Sequence, residues 1–236
     1  MLANAISQCK SELISPEHYA EKEDIRDLFP RILHQVYTNY HHKLKEANAM
    51  DFDDMLGHTV ALFKSHPEVL TYYQDRLRYL HVDEYQDTNH AQYTLMRMIA
   101  ERYNNIAVVG DDAQAIYSFR GADFRNILNF EKDWPQARVV TLDQNYRSTQ
   151  VILDAATHLI GANRLQKNKK LWTERPGGEK VVLTPVENER AEAEQVLSSM
   201  QKLIRQGTTP HQMVVLYRTN AQSRQLEEVF LENNFP

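Results

Sequence analysis

Two adjacent carboxylates, Asp83 and Glu84, follow the apolar run Tyr79-Leu80-His81-Val82 and precede Tyr85-Gln86-Asp87-Thr88. Side chains alternate along a strand, so neighbouring acids at its carboxyl end are expected to point in opposite directions. Asp83 can then hold a magnesium ion, which takes one or two carboxylates alongside waters and phosphate oxygens. Glu84 can activate a water molecule. An isolated Asp-Glu pair is more often a solvated strand end, but the longer string Val82 to Thr88 favours the chemical reading. A second string runs Val109-Gly110-Asp111-Asp112-Ala113-Gln114-Ala115-Ile116-Tyr117-Ser118-Phe119-Arg120-Gly121. Gly110 would permit a sharp turn after a strand. Gln114, beyond that turn, could sense a phosphate by hydrogen bonding. Tyr117, Phe119 and Arg120 suit single-stranded nucleic acid, because bases stack on rings and phosphates meet cations. Taken alone, Tyr117 and Phe119 read more plainly as a core aromatic pair. The third string is Leu142-Asp143-Gln144-Asn145-Tyr146-Arg147-Ser148-Thr149. Arg147 could serve as an arginine finger at a phosphate site. Tyr146 could stack on a nucleobase, and Ser148 or Thr149 could cap a following helix.

The elements that must carry these residues divide the chain by character. Residues 1 to about 76 read as helical, with Gly57 as the only glycine. Ile25, Leu28, Phe29, Ile32, Leu33, Val36, Tyr37 and Tyr40 recur at three- and four-residue steps and predict one apolar helix face. Ser15-Pro16-Glu17 reads as an N-cap followed by proline at the first helical position. Asp51-Phe52-Asp53-Asp54 marks another helix start, where acids complement the helix dipole. From Tyr79 the pattern changes. Tyr79–Val82, Ile106–Val109 and Arg138–Leu142 read as short buried strands, with helices over Ala91–Tyr103 and Phe124–Glu131 between them. Such alternation predicts an α/β fold with a parallel sheet, whose ligands bind beyond the carboxyl ends of the strands. All three motif strings stand at those ends. After Pro176-Gly177-Gly178 a second α/β pattern follows: strands at Lys180–Thr184 and Met213–Tyr217, helices at Glu189–Arg205 and Ala221–Glu232.

Composition sets the outer bounds. The 236 residues carry 27 Lys+Arg against 32 Asp+Glu, a net charge of −5, so a simple nucleic-acid coat protein is disfavoured. A local basic track remains compatible; Arg164, Lys167, Lys169 and Lys170 form the one candidate, with a solvated face equally plain. A single cysteine, Cys9, permits no internal disulfide and fits a reducing, cytoplasmic setting. No apolar run reaches the roughly 18 residues that span a bilayer. The histidines show no zinc-ligand spacing. A metal nuclease would gather acids from several elements around two ions, and no such set is visible.

Together the strings resemble the UvrD/Rep/PcrA-like superfamily 1 DNA helicases. Asp51–Asp54, Val82–Asn89, Val109–Asp123, Gln144–Thr149, Lys170–Thr173 and Leu216–Arg224 carry the resemblance, in the family's order. It implies parts of two RecA-like parallel-sheet motor domains (P-loop NTPase type) preceded by an all-helical segment, with ATP and Mg2+ bound between the motors. By that resemblance Asp83 coordinates the metal and Glu84 activates the attacking water. Gln114 couples the γ-phosphate to the DNA site, and Tyr117, Phe119 and Arg120 touch single-stranded DNA. Tyr146 stacks on adenine and Arg147 contacts the γ-phosphate. The implied activity is ATP-driven 3′-to-5′ movement on single-stranded DNA with unwinding of duplex DNA. There are departures. No G-x-x-x-x-G-K-S/T phosphate loop occurs; the seven glycines include none followed by Lys-Ser or Lys-Thr. Phe119 stands where the family often has tryptophan, Ala113 where many members have aspartate, and Ala115 where many have serine. The chain therefore reads as a middle piece: residues 1–76 the later part of a helical insertion, 77–142 the second half of the first motor domain, 143–236 the opening of the second. Such a piece alone is expected to be inactive as an ATPase; the alternative is a stand-alone, non-catalytic DNA- or protein-binding module.

Overall fold

The computed structural model describes residues 1–163 and 169–235. They form two compact units, Met1–Pro176 and Gly177–Pro236. The expected 142/143 boundary lies inside the first.

The first unit opens with five helices: α1 (Leu2–Ser11), α2 (Pro16–Lys22), α3 (Leu28–Glu46), α4 (Phe52–Ser65) and α5 (Pro67–Arg76). Ser15 caps α2, accepting the His18 N–H at 3.3 Å, and Pro16 holds the first helical position. Ile6, Cys9, Tyr19, Leu33 and Tyr37 form the core of this layer. The Tyr37 hydroxyl donates to the Ile14 carbonyl at 2.9 Å, which lets a phenol sit in an apolar cluster. The predicted apolar face of α3 is used only in part. Leu33 and Tyr37 are buried, whereas Leu28, Phe29, Ile32, Val36 and Tyr40 are exposed, and Ile25 precedes the helix. Periodicity reports that a helix has an apolar face, not how much of that face is covered.

The acid cluster at the start of α4 does more than complement a dipole. Asp51 accepts the Asp54 N–H at 2.8 Å, and Asp54 reaches back to the Asp51 N–H at 3.2 Å, a reciprocal capping box. Lys10 of α1 bridges both carboxylates at 2.7 Å, with its side chain only 5% exposed. The Tyr40 hydroxyl donates to Asp51, and the Ser7 hydroxyl to Asp53. One buried cation thus fastens α1, α3 and α4 together.

Strand β1 (Leu80–Val82), helix α6 (His90–Ala100) and strand β2 (Ile106–Val108) form a βαβ unit. The strands are parallel, with Leu80 opposite Ile106 and Val82 opposite Val108. Asn89 and Gln92 cap α6 reciprocally. Helix α7 (Arg125–Asp133) packs Phe130 against the fully buried Tyr85, rings 5.6 Å apart at 83°. Helix α8 (Gln150–Ile160) follows.

Three of the five expected strands do not pair. Arg138–Leu142, Lys180–Thr184 and Met213–Tyr217 form no strand among the described residues. Their apolar residues are open: Val140 is 64% exposed, Leu183 93% and Leu216 86%. A strand exists by hydrogen bonding to a neighbour, and the described residues offer these segments none. Arg138 does line a cleft of about 530 Å³ with Ile106 of β2, so the would-be third strand starts beside the sheet without joining it.

In the second unit, helices α9 (Glu189–Arg205) and α10 (Ala221–Glu232) pack through Ala193, Leu197 and Val229. Asn188 caps α9 by accepting the Ala191 N–H at 2.9 Å. Arg190 pairs with Glu232 at 2.6 Å across the two helices.

Candidate nucleotide and nucleic-acid site

Strand β1 ends at Val82, one residue before the acids. Strand alternation therefore does not place Asp83 and Glu84 on opposite sides, contrary to expectation. The backbone turns instead. Asp83 accepts the Glu84 N–H on its own Oδ1 at 2.9 Å. Glu84 adopts the left-handed region, φ 50 and ψ 43, and leads into a 3₁₀ turn at Tyr85–Asp87. That backbone costs on the order of 1–3 kcal/mol for a residue with a Cβ and persists only where its surroundings over-determine it. Here they do. The Tyr85 N–H donates to the Val109 carbonyl at 2.9 Å, and the Asp87 N–H donates to the Glu84 carbonyl at 2.9 Å.

The exposed carboxylates border a cleft of about 310 Å³ lined by Val82, Asp83, Glu84, Asp87, Leu95 and Met96, with Thr88 and Gln92 completing it. Burial, with the nearby Glu84 charge, raises the Asp87 carboxyl above the usual aspartate range. Its Oδ1 is buried without a hydrogen-bond partner. Adjacent exposed carboxylate oxygens are hard donors of the kind magnesium takes singly or in pairs, so the pair fits that ion.

Behind the acids lies Gln86, which is 1% exposed. Its Nε2 donates to Glu84 Oε2 at 2.7 Å, and its Oε1 accepts the Asp111 N–H at 3.0 Å. Gly110 makes room for this. A Cβ there would stand 2.5 Å from Gln86 Oε1 and 3.2 Å from the Tyr85 nitrogen. The glycine therefore serves close approach; its φ is not positive.

Asp111 carries the network onward. Its Oδ2 accepts from Gln114 Nε2 at 3.0 Å, and its Oδ1 accepts the Ala113 N–H at 2.9 Å. Lys169 donates to Asp111 Oδ1 and lies 3.3 Å from Asp112 Oδ1. Burial opposes ionisation of Asp111, yet Lys169, Gln114 and the Ala113 N–H outweigh it and hold its carboxyl below the usual range. Lys169 of the basic stretch is thus committed to acids. Arg164 and Lys167 lie outside the described residues.

Tyr117 and Phe119 are not a core pair. They are 39% and 69% exposed, rings 6.1 Å apart at 43°, at a 3₁₀ turn (Ser118–Arg120) that ends in Gly121 at φ 84. The Arg120 backbone belongs to that turn; its side chain is outside what is described. Tyr146 is 73% exposed, and its hydroxyl donates to Gln144 at 2.7 Å. Arg147 is exposed, and its backbone is fixed from both sides. Asn145 Oδ1 accepts the N–H groups of Arg147 and Ser148 at 2.9 and 2.7 Å, and Arg175 donates to the Arg147 carbonyl at 3.0 Å. Thr149 is the N-cap of α8, but its hydroxyl makes no capping bond. No hydrogen bond among the described residues ties Tyr146 or the Arg147 guanidinium to the Glu84–Gln114 network.

Sequence reasoning missed Gln86, Gly110's steric role, and Lys169 as the partner of Asp111. The only hint was that Gln86 lies inside the acidic string.

Comparison with known proteins is consistent with this geometry. The profile of the UvrD/REP helicase N-terminal domain matches residues 1–135, and that of the UvrD-like helicase C-terminal domain matches 140–236. The chain is 48% identical over all 236 residues to "ATP-dependent DNA helicase PcrA" of Staphylococcus epidermidis (strain RP62A), and 48% identical over the same length to the protein of that name in Staphylococcus aureus (strain NCTC 8325). It spans 32% of the length of each, about a third. With two consecutive profiles of one family accounting for nearly every residue, the chain belongs to the UvrD/REP-like helicases, superfamily 1 motors of RecA-like fold.

Proposed function

We propose that this chain is part of an ATP-dependent DNA helicase that moves 3′ to 5′ on single-stranded DNA. The observation that carries the reading is the continuous hydrogen-bonded path from Glu84 through Gln86 and Asp111 to Gln114, at the carboxyl ends of two parallel strands. It joins a carboxylate suited to water activation to a carboxamide suited to phosphate sensing. The chain spans about a third of the relatives' length, so the whole protein's activity is part of the proposal.

In this reading ATP is the substrate. Glu84 orients a water molecule and takes its proton as the water oxygen bonds to the γ-phosphorus and the bond to the bridging oxygen breaks. Asp83 would hold Mg2+, which when bound neutralises charge on the phosphate oxygens. Gln114 hydrogen-bonds the γ-phosphate and yields when it departs. Tyr146 stacks on the adenine, and Arg147 offers a cation to the phosphate charge. Tyr117 and Phe119 are stacking platforms for bases, and Arg120 meets the DNA backbone; duplex DNA is unwound ahead of the moving motor. Residues 1–76 belong to a helical insertion, 77–142 to the first motor domain and 143–236 to the second.

The full-length protein tests this. Its ATP turnover should rise on adding single-stranded DNA, and it should displace a strand only from substrates with a 3′ overhang. Phe119→Ala should weaken binding by about 1–3 kcal/mol. Arg120→Ala should lower the salt slope of binding by about one. Turnover indifferent to DNA would refute the proposal.

A further inference from the structure

The Glu84 side chain is the group on which the proposed hydrolysis turns, yet it is exposed and stands on a strained backbone. Something must fix its carboxylate relative to a water. Asp83 is occupied with the Glu84 N–H. Among the described residues, the one side chain that donates to the Glu84 carboxylate is Gln86.

From this geometry we infer that Gln86 is a positioning residue for hydrolysis: its carboxamide pins Glu84 Oε2 and registers it against the loop that carries Gln114. The inference rests on the proposed role of Glu84. Three independent features support it. The Gln86 side chain is sealed from solvent, so its carboxamide cannot exchange these partners for water. Both ends of the carboxamide are used, Nε2 on Glu84 at 2.7 Å with a longer 3.5 Å contact to Asp87 Oδ2, and Oε1 on the Asp111 N–H, which fixes which way the amide faces. And the chain places glycine at position 110, the neighbour of that N–H, where any Cβ would strike Gln86 Oε1. A buried amide held at both ends is rigid. A shift of the Asp111 loop, in which Gln114 is bonded to Asp111, therefore moves Gln86 and with it Glu84. Sensing at Gln114 and water activation at Glu84 become one mechanical unit.

The test uses the full-length protein with Gln86→Met, which keeps the volume and removes the amide's hydrogen bonds, and Gln86→Glu, which keeps an acceptor and turns the donor into a repelling charge. The readouts are DNA-stimulated kcat, KM for ATP, binding of a fluorescent ATP analogue, and the melting temperature. Both variants should lose about 10- to 100-fold in kcat, the scale of a misplaced catalytic group. KM and analogue binding should stay near wild type; Gln86→Met should still melt cooperatively within several degrees of wild type, whereas Gln86→Glu, which buries a carboxylate beside Glu84 and Asp87, should melt lower. In a Glu84→Gln background, Gln86→Met should cost nothing further, because the group it positions is already disabled. Wild-type kcat in both variants overturns the inference. So does an equal fold-loss in the Glu84→Gln background, and so does a collapse of melting temperature in Gln86→Met, which would make Gln86 a packing residue. If Glu84→Gln itself leaves kcat unchanged, the proposed role of Glu84 fails instead.

Discussion

Lys10 shows at the scale of one residue how far burial outruns sequence pattern. Nothing in Ser7-Gln8-Cys9-Lys10 sets this lysine apart from a solvated helix residue. Yet it lies buried between Asp51 and Asp54, 41 and 44 positions away. Removing one member of a buried ion cluster leaves the others uncompensated, so Lys10→Met should destabilise the first unit by about 3–5 kcal/mol in denaturant melts. The cluster also sets a pH dependence. Burial opposes ionisation of Asp51, but Lys10, the Asp54 N–H and Tyr40 prevail and hold its carboxyl below the usual range. A depressed carboxyl contributes stability above its unfolded value, near pH 4, and loses it as pH falls through the folded value. Burial likewise works against the Lys10 cation, and its two aspartates reverse the effect and raise it. That contribution is complete below the lysine's unfolded value, near pH 10.4, and fades as pH rises through the folded one. Wild-type melting temperature should therefore drop below about pH 4, and Lys10→Met should flatten that drop. The residues proposed for the chemistry stand out more plainly in the sequence. Asp83, Glu84, Gln114, Tyr146 and Arg147, the residues of the proposed site, stand in compact strings. Gln86 lies inside one of those strings and Lys169 in the basic stretch, but nothing in the sequence reveals that they bond to Glu84 and Asp111.

Elements divide by whether their stability is local. Helices α9 and α10 begin and end at the residues that periodicity and capping predict, since a helix closes its own hydrogen bonds. β1 and β2 are legible and paired, because α6 returns the chain to the sheet within one βαβ unit. Arg138–Leu142, Lys180–Thr184 and Met213–Tyr217 have strand composition but no partner, and composition alone cannot form a ladder. Two glycines separate packing from propensity at this scale. A Cβ at Gly110 meets a side-chain oxygen and a backbone nitrogen, so Gly110→Ala should cost about 1–3 kcal/mol of stability. Gly57 sits inside α4 with nothing within 4 Å of a new Cβ, so Gly57→Ala should add about 0.5–1 kcal/mol. Parallel denaturant titrations of the two variants would check both signs.

As a whole molecule, the chain carries the helicase family's motif strings without a phosphate-loop string. The isolated chain should hydrolyse no ATP above background in a magnesium-containing phosphate-release assay. Its unpaired apolar segments should also limit its solubility. Leu183→Glu, at a residue 93% exposed, should raise the concentration at which light scattering appears, with stability changed by less than about 0.5 kcal/mol. The family was legible from the order of the strings. What the strings could not convey is that Glu84 and Gln114 are joined through a buried amide. The most direct test of the central claim is the single-stranded-DNA-stimulated ATP turnover of the full-length protein carrying Glu84→Gln. Loss of a general base predicts a fall of about 100-fold or more with ATP binding retained; turnover at the wild-type rate would contradict the assignment of Glu84.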